Sequence, residues 1–296
     1  MAHIPVLLHE VITGLAPEAG ETYLDATLGS GGHALAIGEI LGPSGRIIGL
    51  DQDSNSLAKA EEVLKQFSGQ ADLALSNFRD LDKVLTELKV HEVNRILFDL
   101  GVHSDQFGPS GRGFSFMYDE PLLMTMGELR EDKLTAKDIV NFWTAADLEN
   151  VLVGYGEEQF AERIAEQIVK ARRDTPIATT FDLVRVIESA VPAWYKHRKL
   201  HPATKTFQAL RIAVNDELEA LKEGLEKAVN FLAPGGRLAV ISFHSLEARI
   251  VKDYFKSLDQ AKGVKLVTKH AVQAKWSETS KNRRARSAQL RIIEKI

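Results

Sequence analysis

The chain has 296 residues, 44% hydrophobic and 26% charged, an ordinary globular composition long enough for one large domain or two smaller ones. It contains no cysteine, which excludes disulfides, thiolate catalysis and Cys-ligated zinc, and no run of the about 18 apolar residues a membrane helix needs. The net charge of −4 does not announce a nucleic-acid binder, yet KHRKLHPATK (196–205) and KNRRARSAQLR (281–291) are basic islands, and local patches set the field a phosphate meets.

The N-terminus lacks a basic run and carries charge by Glu10, so it does not read as a signal peptide, and a cytoplasmic protein is expected. Strand and helix patterns then alternate. TYLDATL (22–28) is a short apolar run that ends in an acid and leads into glycines. HALAIGEIL (33–41) has helical spacing. RIIGLD (46–51) is a β-branched run ending in Asp51. SNSLAKAEEVLKQF (54–67) opens on Ser54 as the expected N-cap and continues amphipathically. DLALS (72–76), FRDLDKVLTELK (78–89) and VNRILFDLG (93–101) read as strand, helix and strand. Repeats of this kind predict a parallel α/β sheet with right-handed crossovers.

From about 112 to 203 the pattern is helical, with almost no strand signal. We therefore expect an inserted helical subdomain over 112–203, flanked by a discontinuous α/β domain over 1–111 and 204–296. After the insertion, 206–232 reads as one long amphipathic helix, PGG (234–236) as its stop and RLAVISF (237–243) as a buried strand. LEARIVKDYFKSL (246–258) is a helix. VKLVTK (264–269) and LRIIEK (290–295) read as strands and a candidate antiparallel pair.

The most informative segment runs from Asp25 through Gly29, Gly31 and Gly32 to His33. It follows a strand and opens a helix, so its backbone can approach a ligand and its N–H groups are free. Asp51 ends the next strand 22 residues after Gly29, which suits a carboxylate bonding ribose hydroxyls. Three features argue against a dinucleotide. The spacing is G-x-G-G, Asp25 precedes the glycines, and Asp99 ends a further strand beside the same cleft. Pyrophosphate is repelled by such carboxylates, whereas the sulfonium and ammonium of S-adenosylmethionine are attracted.

Those blocks, with HIPVLLHEV, LFDLGVHSDQF, RGFSFMYDEP, YGEEQFAERIAEQIV, HPATKTFQALRIAVNDEL, LAPGGRLAVISFHSLEARIVK and RARSAQLRI, resemble the ribosomal RNA small subunit methyltransferase H (MraW) family nearly end to end. The resemblance implies a class I, Rossmann-like S-adenosylmethionine-dependent methyltransferase with a helical insertion, acting on N4 of a cytidine in 16S rRNA of the small ribosomal subunit. It implies cofactor contacts from Gly31, Gly32, His33, Asp51, Phe78, Asp99 and Gln106. Departures occur at His103, at Leu123 and Thr125, where the family has an acid and a base, and at Arg283, where it has proline.

For catalysis the candidate is Asp99, with carbonyls of the turn after it, because acceptors on the amine hydrogens would localise its lone pair. Arg112, Phe114 and Phe116 could meet an extruded base. Lys199, His201, Lys205, Arg284 and Arg286 suit phosphates, and His244 either lines the substrate pocket or caps a helix. His103 beside Ser104 lacks a Gly-x-Ser-x-Gly turn, which disfavours a hydrolase. His197 and His201 lack a third ligand, so no metal is expected. No membrane partner is expected, and a homodimer is left open. The alternatives are a methyltransferase of this fold on another RNA or a small molecule, a non-catalytic RNA-binding assembly factor, and a nicotinamide oxidoreductase.

Overall fold

A computed structural model describes residues 5–102, 108–128 and 133–296. It divides into two compact units, 1–101 with 218–296, and 102–217. The sequence reading sets the junctions at 111/112 and 203/204, so the helical unit takes in the segment before 112 and the helix after 203.

In the first unit, α1 (Leu8–Leu15) precedes β1 (Thr22–Asp25), α2 (Gly32–Leu41), β2 (Arg46–Asp51), α3 (Ser54–Leu64), β3 (Gln70–Leu75), α4 (Leu81–Glu87) and β4 (Val93–Asp99). The helical unit holds α5 (Ala136–Phe142), α6 (Ala145–Gly156), α7 (Ala161–Ala171), α8 (Thr180–Ala190), α9 (Ala193–Lys196) and α10 (Thr204–Asn215). The chain continues through α11 (Glu217–Phe231) to β5 (Leu232–Ser242), α12 (Ser245–Gln260), β6 (Val264–Leu266), β7 (Val272–Gln273), α13 (Trp276–Thr279) and β8 (Gln289–Lys295).

The strands form one sheet in the order β3-β2-β1-β4-β5-β8-β6, with β7 also paired to β8. Strands β1 to β5 run parallel, and β8 is antiparallel to β5, β6 and β7. The fold is thus the expected Rossmann-like α/β class. Side-chain alternation explains why β2, β4 and β5 read as unbroken apolar runs. Ile48, Leu50, Ile96, Phe98, Leu238 and Val240 face one core, which includes Leu221, Leu225 and Phe255. Ile47, Leu97, Ala239 and Ile241 face the other, which includes Leu7, Leu15, Ile37 and Leu290. The sequence order reverses between β1 and β4, and in such sheets ligands settle beyond the carboxyl ends of the strands at that reversal.

The helical unit has its own core, built from Leu122, Ile139, Leu148, Leu152, Ile164, Ile168, Leu183, Ile187, Phe207 and Leu210 among others. Capping boxes start two of its helices, Thr135 with Asp138 and Thr179 with Asp182.

Three local expectations are corrected. PGG (234–236), expected as a helix stop, lies within β5, the helix having ended at Phe231. Ser54 lies inside α3, and Asp53 is the cap, its carboxylate accepting from Asn55 N. The stretch 206–232 is not one helix, because Asp216 adopts φ 49° and ψ 40° and closes α10. Asn215 holds that break, its side chain accepting from Met126 N at 2.8 Å and donating to Met124 O at 2.7 Å. Among the described residues no helix is long and apolar enough to cross a membrane.

Candidate active site

The strand ends at the reversal carry Asp25 (β1), Asp51 (β2) and Asp99 (β4). The loop after β1 is sewn across them. Ala26 N donates to Leu97 O at 2.9 Å and Leu28 N to Leu50 O at 2.8 Å. Gly29 N donates to Asp51 Oδ2 at 2.8 Å, and Asp53 N to Asp51 Oδ1 at 2.9 Å. Asp99 N donates to Thr27 Oγ1 at 2.6 Å. One turn therefore aligns all three carboxylates.

Gly31 sits at φ 80°, in the left-handed region that favours glycine, and starts α2. A side chain on Gly32 would come within 2.7 Å of Pro5 Cγ. That close approach comes from a strap, Pro5 to Leu7, which lies over the turn. His33 is buried, with Nε2 donating to Val6 O at 2.9 Å and Nδ1 3.9 Å from Asp99 Oδ2. The helix start thus presents backbone N–H groups and an imidazole edge to the strand tips.

Burial decides the electrostatics. Desolvation pushes the Asp25 carboxyl up to about 6, against the lowering influence of His33 and of bonds from Tyr23 OH (2.9 Å) and Thr27 N (3.2 Å). Desolvation also raises Asp51, partly offset by the backbone donors at Asp53 and Gly29. Tyr23 is pushed well above its ordinary value, first by burial and then by Asp25. The main influences on both carboxyls include no lysine or arginine. Asp25 feels Asp99 and Asp51 feels Asp53, so each carboxyl has another acid among its main influences and no strong cation, which fits a sulfonium or ammonium ligand and disfavours a phosphate.

The other candidates sort as follows. Phe78 follows β3, half-buried, with its ring edge-on to Phe98 at 5.5 Å. Gln106, His103 and Ser104 lie outside the described residues. In the helical unit, Phe114 is 5% exposed and packs into the core, so burial explains it and not a base-facing surface. Phe116 is half-buried, stacked on His201 at 4.5 Å and edge-on to Phe207 at 5.4 Å. Arg112 donates through a terminal guanidinium nitrogen to Met126 O at 2.8 Å. Lys199 is exposed, while Lys205 is half-buried and donates to Glu157 O. In the first unit, Arg286 is exposed and Arg284 lies over the Phe243 ring at 5.3 Å.

Of the two readings for His244, the helix cap is the one with geometry behind it. Its ring accepts from Glu247 N at 3.5 Å, and Nε2 lies 3.0 Å from Glu247 Oε1. Sequence reasoning missed Thr27, the strap at 5–7 and Tyr23. The DATLG turn contained a signal for the first, since a hydroxyl between an acid and glycines can bridge neighbouring strand ends.

A profile described as the MraW methylase family matches residues 1–296. Relatives named ribosomal RNA small subunit methyltransferase H align end to end. The one from Geotalea daltonii is 47% identical, covering 99% of this chain and 98% of its own. The one from Symbiobacterium thermophilum is 45% identical, covering 99% and 96%. A solved structure of an rRNA methylase from Streptococcus thermophilus is similar over 100% of this chain and 99% of its own, at 14% identity and a TM-score of 0.48.

Proposed function

We propose that this chain, which belongs to the MraW methylase family, transfers a methyl group from S-adenosylmethionine to the exocyclic N4 amine of a cytidine in 16S ribosomal RNA, in the cytoplasm. The observation that carries the reading is the set of strand-tip acids aligned by one glycine turn. The relatives' names supply the ribosomal RNA, and the family resemblance supplies the cytidine amine.

When bound, the donor supplies an electrophilic methyl carbon on a sulfonium that departs as a neutral thioether. Asp51 would accept bonds from the ribose hydroxyls, and Gly31 and Gly32 would let the backbone come close. His33 and Phe78 would wall the cleft. Asp99 would accept an N4 hydrogen, turning the amine's lone pair away from the ring and toward the methyl carbon. The methylated amine is cationic and acidic, so its proton passes to Asp99 or water without a dedicated base. Lys199, Lys205, Arg112, Arg284 and Arg286 would engage RNA phosphates, and within the helical unit Phe116 and His201 would offer a stacked aromatic pair to a base.

The test is transfer of labelled methyl to small subunits lacking the modification, followed by nucleoside analysis. N4-methylcytidine is the expected product. Label on ring carbon 5 or on a ribose would overturn the regiochemistry, and no transfer at all would overturn the activity.

The raised Asp25 carboxyl makes a pH prediction. A cationic ligand favours the ionised form, so binding below about pH 6 must expel a proton. The donor's Kd should be flat above pH 6 and rise up to about tenfold per pH unit below it, and Asp25→Asn should flatten the profile. Calorimetry across pH 5 to 8 checks this, and a flat wild-type profile would refute it. For stability the sign is opposite to that of an ion-paired acid. The folded value lies above the ordinary one, so the cost of burying the anion is absent below pH 4 and complete above pH 6, at about 3 kcal/mol.

A further inference from the structure

One surface of the sheet-bearing unit, which includes Arg286, carries more than the phosphate contacts already assigned to it. Trp276 opens α13 and is 83% exposed, the most exposed large hydrophobic side chain among the described residues. Lys269, Lys275, Lys281, Arg283 and Arg286 are exposed in the same segment, and Glu278 is its single acid. The Glu278 carboxylate is committed inward, with Oε1 accepting from Leu7 N at 2.8 Å.

The backbone folds these residues into one knot. Ser280 N donates to Trp276 O at 3.0 Å, Asn282 N to Glu278 O at 2.7 Å, and Arg286 Nε to Thr279 O at 3.4 Å. The knot is anchored at the rim of the cleft. Arg284 covers Phe243, which directly follows β5, and a side chain on Gly101, two residues beyond Asp99, would lie 3.8 Å from that same ring. On the other side, Leu7 ties Glu278 to the strap over Gly32 and His33. A solvated basic face accounts for the cations and leaves the tryptophan unexplained. An exposed indole in a short segment that also exposes Lys275, Lys281, Arg283 and Arg286 has the chemistry that binds an unstacked base and its flanking phosphates.

We propose that Trp276, with Lys275, Lys281, Arg283 and Arg286 of the same folded segment, is a docking platform for a single-stranded RNA segment flanking the methylated base. Trp276 stacks on one unpaired base, and the cations hold the phosphates beside it. The proposal rests on the RNA reading of the cleft.

The test uses the full chain, with unmodified small subunits as substrate and a single-stranded RNA about 15 nucleotides long as binding probe. Trp276→Ala should raise the RNA Kd and the subunit KM by roughly 5- to 100-fold, with kcat and the Kd for S-adenosylmethionine unchanged. Trp276→Phe should recover most of the loss. A Lys281→Ala, Arg283→Ala double variant should lower the salt slope of binding by about 1.4. Unchanged RNA affinity in Trp276→Ala, with the wild type methylating subunits normally, would overturn the platform and leave the activity standing. A wild type that neither binds RNA nor methylates would overturn both. Equal loss in the Phe and Ala variants with a lowered melting temperature would make Trp276 structural, and binding that depends on Trp276 only with anionic phospholipid vesicles would make the patch a lipid surface; either overturns the proposal.

Discussion

Replacing Asp51 by alanine is expected to weaken S-adenosylmethionine binding by roughly 100-fold. Hydrogen bonds to an ionised group contribute about 1.5–3 kcal/mol each, and a ribose offers two hydroxyls. The side chain does a second task, since its oxygens hold Gly29 N and Asp53 N. Alanine frees both donors and loosens the turn that aligns Asp25 and Asp99. A net loss of about 3 kcal/mol corresponds to about two orders of magnitude in Kd. Asp51→Asn keeps one acceptor oxygen and should fall between, near tenfold. Calorimetry measures the affinity, and a melt by circular dichroism separates it from unfolding. Alanine binding within threefold of wild type would remove Asp51 from the site. A non-catalytic assembly factor would tolerate the change without phenotype, so the same variant in cells separates the enzyme from that alternative.

Asp99→Asn is expected to lower kcat by roughly 10²- to 10³-fold while leaving the Kd for RNA nearly unchanged. The amide is close to isosteric, and the backbone bond from Asp99 N to Thr27 Oγ1 does not involve the side chain, so the fold should persist. The asparagine loses the negative charge that stabilises positive charge growing on N4, and its amide hydrogens confront those of the amine. Single-turnover kinetics at saturating donor isolate the step. A kcat within threefold of wild type would leave the carbonyls after Asp99 as the acceptors. A large rise in donor Kd with kcat intact would make Asp99 a binding residue only.

The strands that carry these acids were legible because a central parallel strand is buried on both faces, and burial writes itself as an unbroken apolar run. RIIGLD and VNRILFD end where the chain leaves the core, and an acid there can only point beyond the sheet edge. The glycine turn was legible because Gly31 needs a backbone conformation that other residues rarely adopt. Helix ends were less readable. Two neighbours, Asp53 and Ser54, both have capping chemistry, and only the backbone path decides between them. Between 206 and 232 there is no proline and the helical pattern runs on through Gly224, yet the helix ends at Asp216, where Asn215 gains bonds from Met124 and Met126 about 90 residues earlier in the chain.

The amino-acid order alone thus settled the α/β class, the helical stretch between two sheet-forming segments and the positions of the acids at the strand ends and the glycines at the start of α2, since each follows from local periodicity or from a backbone conformation few residues adopt. Tertiary structure decided how those groups are used. It took Thr27 to join β1 to Asp99, the strap at Pro5 to Leu7 to cover Gly32 and His33, and burial to lift Asp25 to about 6. It also turned Phe114 into core and His244 into a cap, and left Trp276 exposed. Residue types and spacings define what a side chain can do, but which partners it meets, and how far water is excluded, depends on segments distant in sequence that only the folded chain brings together.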